Sequence, residues 1–140
     1  MADTIEDELA ELADEFELLG DWEERYRHII DLGRTLDPLS DEERTEPYKV
    51  RGCASQVWIV RETDDQGRLV WRGDSDAHIV RGLIAIVLKL YNHRQKTEIL
   101  GFDARNALSQ LGLTEALSAQ RSNGLLSMIE RIRRDAGATA

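Results

Sequence analysis

Apolar positions recur every three or four residues at the start of the chain. Ile5, Leu9, Leu12, Phe16 and Leu19 fall on one face if residues 4–19 form a helix. Gly20 stops that pattern. Asp21, followed by Glu24 three residues later, has the spacing of a capping box. A second apolar stripe then runs through Trp22, Tyr26, Ile29, Ile30 and Leu36. Asp37-Pro38 ends it, because proline disfavours the α region in the residue before it. Residues 38–47 are polar and read as a connecting loop.

The period then changes to that of a strand. Tyr48–Arg51 has the composition of a short strand, and Gln56–Glu62, with Val57, Trp58, Ile59 and Val60, that of a stronger one. Asp64-Asp65-Gln66-Gly67 is a turn, and Arg68–Gly73 returns as the hairpin partner. Ser75 or Asp76 is then placed to cap a helix that reaches about Asn92. Its middle, Leu83–Leu88, is apolar nearly all round, which predicts a buried helix packed across the sheet. Shorter helices follow at Lys96–Leu100, Asp103–Leu111 and Thr114–Leu117, with a longer one from Ser118 or Arg121 to about Asp135. The order helices, strands, helices predicts an α+β fold with a small antiparallel sheet of about three strands packed against helices. The 140 residues fit one domain, 1–140, with no internal repeat.

Charge sharpens this picture. Residues 1–46 carry 17 acidic and 4 basic side chains, and residues 47–140 carry 10 and 14, which together give the net −9. That balance argues against a nucleic-acid partner, which needs a basic footprint. The acidic half reads as solvated helix faces, or as a surface that meets a basic partner. No apolar run reaches the roughly 18–20 residues of a membrane span. The opening Met1-Ala2-Asp3-Thr4-Ile5-Glu6 lacks the basic and apolar regions of a signal peptide. Together with a single cysteine, this points to a reducing cytoplasm.

That cysteine, Cys53, follows Gly52 and precedes Ala54-Ser55-Gln56 at the entry to the strong strand. One thiol forms no internal disulfide and supplies no clustered zinc or iron–sulfur ligands. Cys53 is either a small core residue or a single reactive thiol, acting as nucleophile or carrier. Lys49 and Arg51 are the nearest cations in sequence. His28, His78 and His93 are scattered, fit no metal motif and show no local signature of a base, so no metal site is expected. Asp76 has a capping reading. Arg121 opens the last helix, where a cation is mildly unfavourable, and this suggests an ion pair or a partner contact.

The run Gly52-Cys53-Ala54-Ser55-Gln56-Val57-Trp58 resembles the Gly-Cys-x-Ser-Gln-Val-Trp signature of the SufE family of sulfur-acceptor proteins. Three further blocks resemble the family in the same order. They are Trp22–Tyr26 with Ile30-Leu32-Gly33, Gly73–Ala77 with Ile79-Val80 and Gly82–Ala85, and Leu117 with Arg121–Leu125 and Met128-Ile129. Ala54 stands where the family often has a polar residue.

The resemblance implies a fold related to iron–sulfur scaffold proteins of the NifU/IscU type. It implies that Cys53 accepts persulfide sulfur from a SufS-type cysteine desulfurase, stimulates that enzyme, and delivers sulfur toward a downstream Fe–S scaffold. The pyridoxal phosphate belongs to the desulfurase, and this chain is a carrier with no cofactor of its own. By the same resemblance Gly52, Ser55, Gln56, Asp76 and Arg121 shape the Cys53 loop or the partner contact. Ser55-Gln56 favours the Suf-type branch over the paralogous Csd-type branch. A scaffold of the related fold needs about three cysteines, which this chain lacks. A redox sensor needs only an exposed, low-pKa thiol, and stays open at the level of sequence.

Overall fold

The computed structural model describes residues 4–137. Met1–Asp3 and residues 138–140 of the expected domain lie outside the described residues.

Helix α1 (Ile5–Leu18) begins where the Thr4 side chain accepts from the Asp7 N–H, and it buries Ile5, Leu9, Leu12 and Phe16. Helix α2 (Trp22–Gly33) is capped by Asp21, which accepts from the Glu24 N–H. Glu24 reaches back to the N–H of Gly20 at 2.9 Å, one residue outside the usual capping box. The expected stripe of α2 is only partly buried. Ile29 and Gly33 are covered, whereas Trp22 and Tyr26 are each 36% exposed. The helix also stops three residues before Leu36. Tight i to i−3 bonds at Arg34, Thr35 and Leu36 take over there.

The sheet has two antiparallel strands, β1 (Val57–Thr63) and β2 (Leu69–Ser75), with Val57 opposite Ser75. The expected third strand at Tyr48–Arg51 is reduced to one bridge, Lys49 to Trp58, and a bond from the Val50 N–H to the Val57 carbonyl. A 3-10 turn over Glu46–Tyr48 leads into it, and the Gly52 turn leaves it, so too few residues remain extended to build a ladder.

Helix α3 (His78–Tyr91) is the centre of the molecule, with 11 of its 14 residues buried. Its start corrects the sequence reading. The cap position is Ala77, which makes no side-chain cap bond, and neither Ser75 nor Asp76 serves as the cap. Gly82 sets the approach of α3 to α2, because a β-carbon there would lie 2.0 Å from the Ile29 carbonyl oxygen. Gly73 of β2 likewise admits the side chain of Ile84, so α3 lies across the sheet.

The chain closes with α4 (Lys96–Leu100), α5 (Ala104–Gln110), α6 (Leu113–Ala116) and α7 (Ala119–Gly137). Asp103 caps α5, and the Ser118 hydroxyl accepts from the Arg121 N–H at the start of α7. Helix α7 buries Gly124, Leu125, Met128, Ile129 and Ile132 against the core. No helix among the described residues is long and apolar enough to cross a membrane.

Candidate functional site

Cys53 lies where the end of the sheet, α3 and α7 meet. Gly52 turns the chain with φ of 89°, a left-handed conformation that residues with a β-carbon rarely adopt. A β-carbon there would also stand 2.5 Å from the Ser127 hydroxyl of α7, so both backbone and space require glycine. The loop base is anchored by the Val50–Val57 bond of 2.8 Å and by Arg131 of α7, which donates to the Lys49 carbonyl at 3.2 Å. Sequence reasoning missed the Arg131 anchor, because a side chain aimed at a backbone carbonyl leaves no motif.

The thiol is half-buried, and Sγ lies 3.5 Å from the Gly124 carbonyl oxygen of α7, to which it donates. Gly124 packs against the cysteine, where a β-carbon would make ordinary van der Waals contact, 3.5 Å from Sγ. Burial pushes the Cys53 pKa up from its ordinary value. The two cations nearest in sequence do not offset this. Arg51 pairs with Glu46 at 2.5 Å, and neither Lys49 nor Arg51 lines the space around the thiol.

That space is a cavity of about 300 Å³. Val80 and Leu83 of α3 and Leu125 and Met128 of α7 form its apolar wall, and Ala54, Ser55, Ser118, Gln120 and Arg121 complete it. The apolar shelter of the thiol therefore comes from two helices distant in sequence. Val50, Val57 and Trp58, the apolar residues that flank the loop in sequence, line none of it. No histidine lines it either. His28 sits 3.3 Å from Glu15, His93 pairs with Asp64 at 2.9 Å, and His78 is exposed. Among the described residues no three His, Cys, Asp or Glu side chains gather as a metal-binding group.

Asp76 and Arg121 both come to this loop. The Asp76 carboxylate accepts from the Gln56 N–H at 3.1 Å and so braces the outgoing end of the loop against the start of α3. Its neighbour Asp74 is buried, accepts from the N–H groups of Leu39 and Ser75, and pairs with Arg81 at 3.0 Å. Arg121 lines the cavity mouth. Its guanidinium donates to the Tyr26 hydroxyl at 2.9 Å, and its carbon lies 5.9 Å from that ring's centre.

The family model described as the Fe–S metabolism associated domain, SufE, matches residues 10–136. The chain belongs to the SufE family. Two SufE-like proteins are similar to it over most of their length. One, from Rhizobium etli, is 52% identical over 131 residues, covering 91% of this chain and 88% of the relative. The other, from Rhizobium meliloti, is 46% identical over 131 residues, covering 91% and 94%. A solution structure of a hypothetical protein from Thermus thermophilus has the same fold, with a TM-score of 0.75 over 93% of each chain at 15% identity. The SufE-family fold thus has an α+β architecture here, with its lone thiol set between α3 and α7.

The brace and the cover predict how this thiol reacts. At pH 8, alkylation of Cys53 by iodoacetamide is expected to run well below the rate of a free cysteine peptide. Its rate should keep rising above about pH 8.5, the ordinary thiol pKa. Asp76→Ala frees the Gln56 N–H and should accelerate labelling severalfold, with a loss of stability of about 1 kcal/mol or less. Labelling of the folded wild type as fast as the peptide at every pH would contradict the shielded arrangement.

Proposed function

We propose that this SufE-family protein is a sulfur carrier for Fe–S metabolism, with Cys53 as the acceptor of sulfane sulfur from a SufS-type cysteine desulfurase. The observation that carries this reading is the setting of one thiol. It stands on a short loop and faces a cavity of about 300 Å³, walled by apolar side chains of α3 and α7 and edged by polar ones, with room for an added sulfur atom.

The reaction needs no metal and no external redox partner. The Cys53 sulfur, as thiolate, attacks the terminal sulfur of the donor's cysteine persulfide. The donor's S–S bond breaks, a new S–S bond forms on Cys53, and the donor cysteine leaves as a thiolate that takes up a proton. The proton released by Cys53 balances it. Because burial disfavours the thiolate, the free carrier reacts slowly. The donor must draw the loop out of its cover for transfer to occur. The contacts at the loop tip suit this: one exposed bond to Asp76 and one thiol–carbonyl bond are the weak links, while the base stays anchored.

The same features count against a thiol redox sensor, which works through an exposed, low-pKa thiol. Ser55-Gln56 supports the Suf-type over the Csd-type branch. The pyridoxal phosphate belongs to the desulfurase, an Fe–S scaffold receives the sulfur, and the cytoplasm is where a lone reduced thiol of this kind operates. The test is turnover: the desulfurase should release alanine from cysteine severalfold faster when this chain is added. Turnover unchanged by the chain over a wide concentration range would count against the reading.

A further inference from the structure

Helix α2 leaves two large aromatic residues in solvent beside the Cys53 cavity. Trp22 and Tyr26 stand one helical turn apart, each 36% exposed. Each carries a guanidinium. The Arg25 carbon lies 5.2 Å from the Trp22 ring centre, and the Arg121 carbon 5.9 Å from that of Tyr26. Neither arginine has a carboxylate partner among the described residues, and the buried Arg25 Nε has no hydrogen-bond acceptor. The nearby acids are already engaged, Glu23 with Arg27 at 2.8 Å and Glu24 with the Gly20 N–H. Trp22 is seated against the turn before α6, where a β-carbon on Gly112 would stand 3.1 Å from its ring.

We propose that Trp22, Arg25, Tyr26 and Arg121 form the docking strip for an acidic segment of the sulfur-donating desulfurase. This rests on the carrier reading above and adds to it where, and through which chemistry, the donor lands. Arg121 belongs both to the strip and to the cavity mouth, so a segment held on the strip is led directly to Cys53. The two guanidiniums, without a carboxylate partner among the described residues, meet the segment's carboxylates. The two rings cover its apolar part, and held in place they lose little freedom on binding. Tryptophan, tyrosine and arginine are the residues on which binding energy most often concentrates. The first 46 residues, which include α2, carry a net −13, so for an acidic segment the favourable contacts on that half are confined to its few guanidiniums.

The test uses the full chain and a SufS-type desulfurase in titration calorimetry, at low salt and at physiological salt. Trp22→Ala and Arg25→Gln should each weaken binding by about tenfold or more. The salt dependence should be shallower for Arg25→Gln than for the wild type. In the same variants, inorganic polysulfide, which adds a sulfur to a thiolate without docking, should load Cys53 as fast as in the wild type. Trp22→Phe should restore most of the lost affinity. Variants that bind the desulfurase as tightly as the wild type, while the wild type binds and loads normally, overturn this inference alone. So does a wild-type dimer that Trp22→Ala dissociates, since a second copy would then occupy the strip. A wild type that neither binds the desulfurase nor takes sulfur from it overturns the carrier reading, and this inference with it.

Discussion

Cys53→Ser is expected to eliminate sulfur uptake while leaving the fold in place. The hydroxyl is nearly isosteric with the thiol and can still donate to the Gly124 carbonyl, so the loop keeps its contact with α7. Stability should change by about 1 kcal/mol or less. What disappears is the only sulfur nucleophile, since the chain has no second cysteine. The thermal unfolding curve and circular dichroism should overlay those of the wild type, and acceleration of the desulfurase through sulfur withdrawal should vanish. A Cys53→Ser protein that still accelerates turnover as the wild type does would remove the thiol from the account and leave a purely allosteric activator.

The second large effect concerns α3. Ile84 and Ile86 are fully buried in the helix that α2, β2 and α7 all pack against. Ile84→Asp or Ile86→Asp strands a carboxylate with no partner in an apolar core. The loss is roughly 4 kcal/mol, a large part of the stability of a domain this size. A drop of that size corresponds to a fall in Tm of roughly 10–20 °C. Ile84→Val, which removes one methylene, should cost only about 1 kcal/mol. The Cys53 cavity should fail with the core, because Val80 and Leu83 of the same helix form its wall. Equal Tm values for Ile84→Asp, Ile86→Asp and the wild type would contradict the central placement of α3.

Much of this arrangement was legible in the order of residues. The periodicity of Ile5, Leu9, Leu12 and Phe16 marks the buried face of α1, and the all-apolar Leu83–Leu88 run marks the central helix. The glycine before Cys53 marks a tight turn, and the structure shows why, in its left-handed backbone and the closeness of Ser127. Asp76 was legible as a cap from its local setting, and as a residue that holds the Cys53 loop only through the family resemblance. Its partner is a backbone N–H 20 residues earlier, and local reading assigns such a carboxylate to the nearest helix. The third strand was overread, because extended composition at Tyr48–Arg51 does not show that two turns leave only one bridge.

Other features leave no trace in composition. The thiol's acceptor is a carbonyl, and every residue has one, so nothing singles out Gly124 before the helices are placed. The apolar wall beside the thiol comes from Leu125, Met128, Val80 and Leu83, none of them a neighbour of Cys53 in sequence. The stripe through Trp22 and Tyr26 fits a helix, yet periodicity alone does not tell a face turned to the core from one turned to a partner. Only the close crossing at Gly82 and Ile29 shows which side of α2 is covered.

The central claim is that Cys53 carries sulfur, and intact-mass spectrometry tests it most directly. The chain is incubated with a SufS-type desulfurase, free cysteine and pyridoxal phosphate, then weighed before and after treatment with a reducing thiol. The account predicts a gain of about 32 Da per chain, one sulfur atom, localised to the peptide that holds Cys53 and removed by the reductant. A chain that keeps its original mass while the desulfurase turns over, or that gains the sulfur elsewhere, would contradict it.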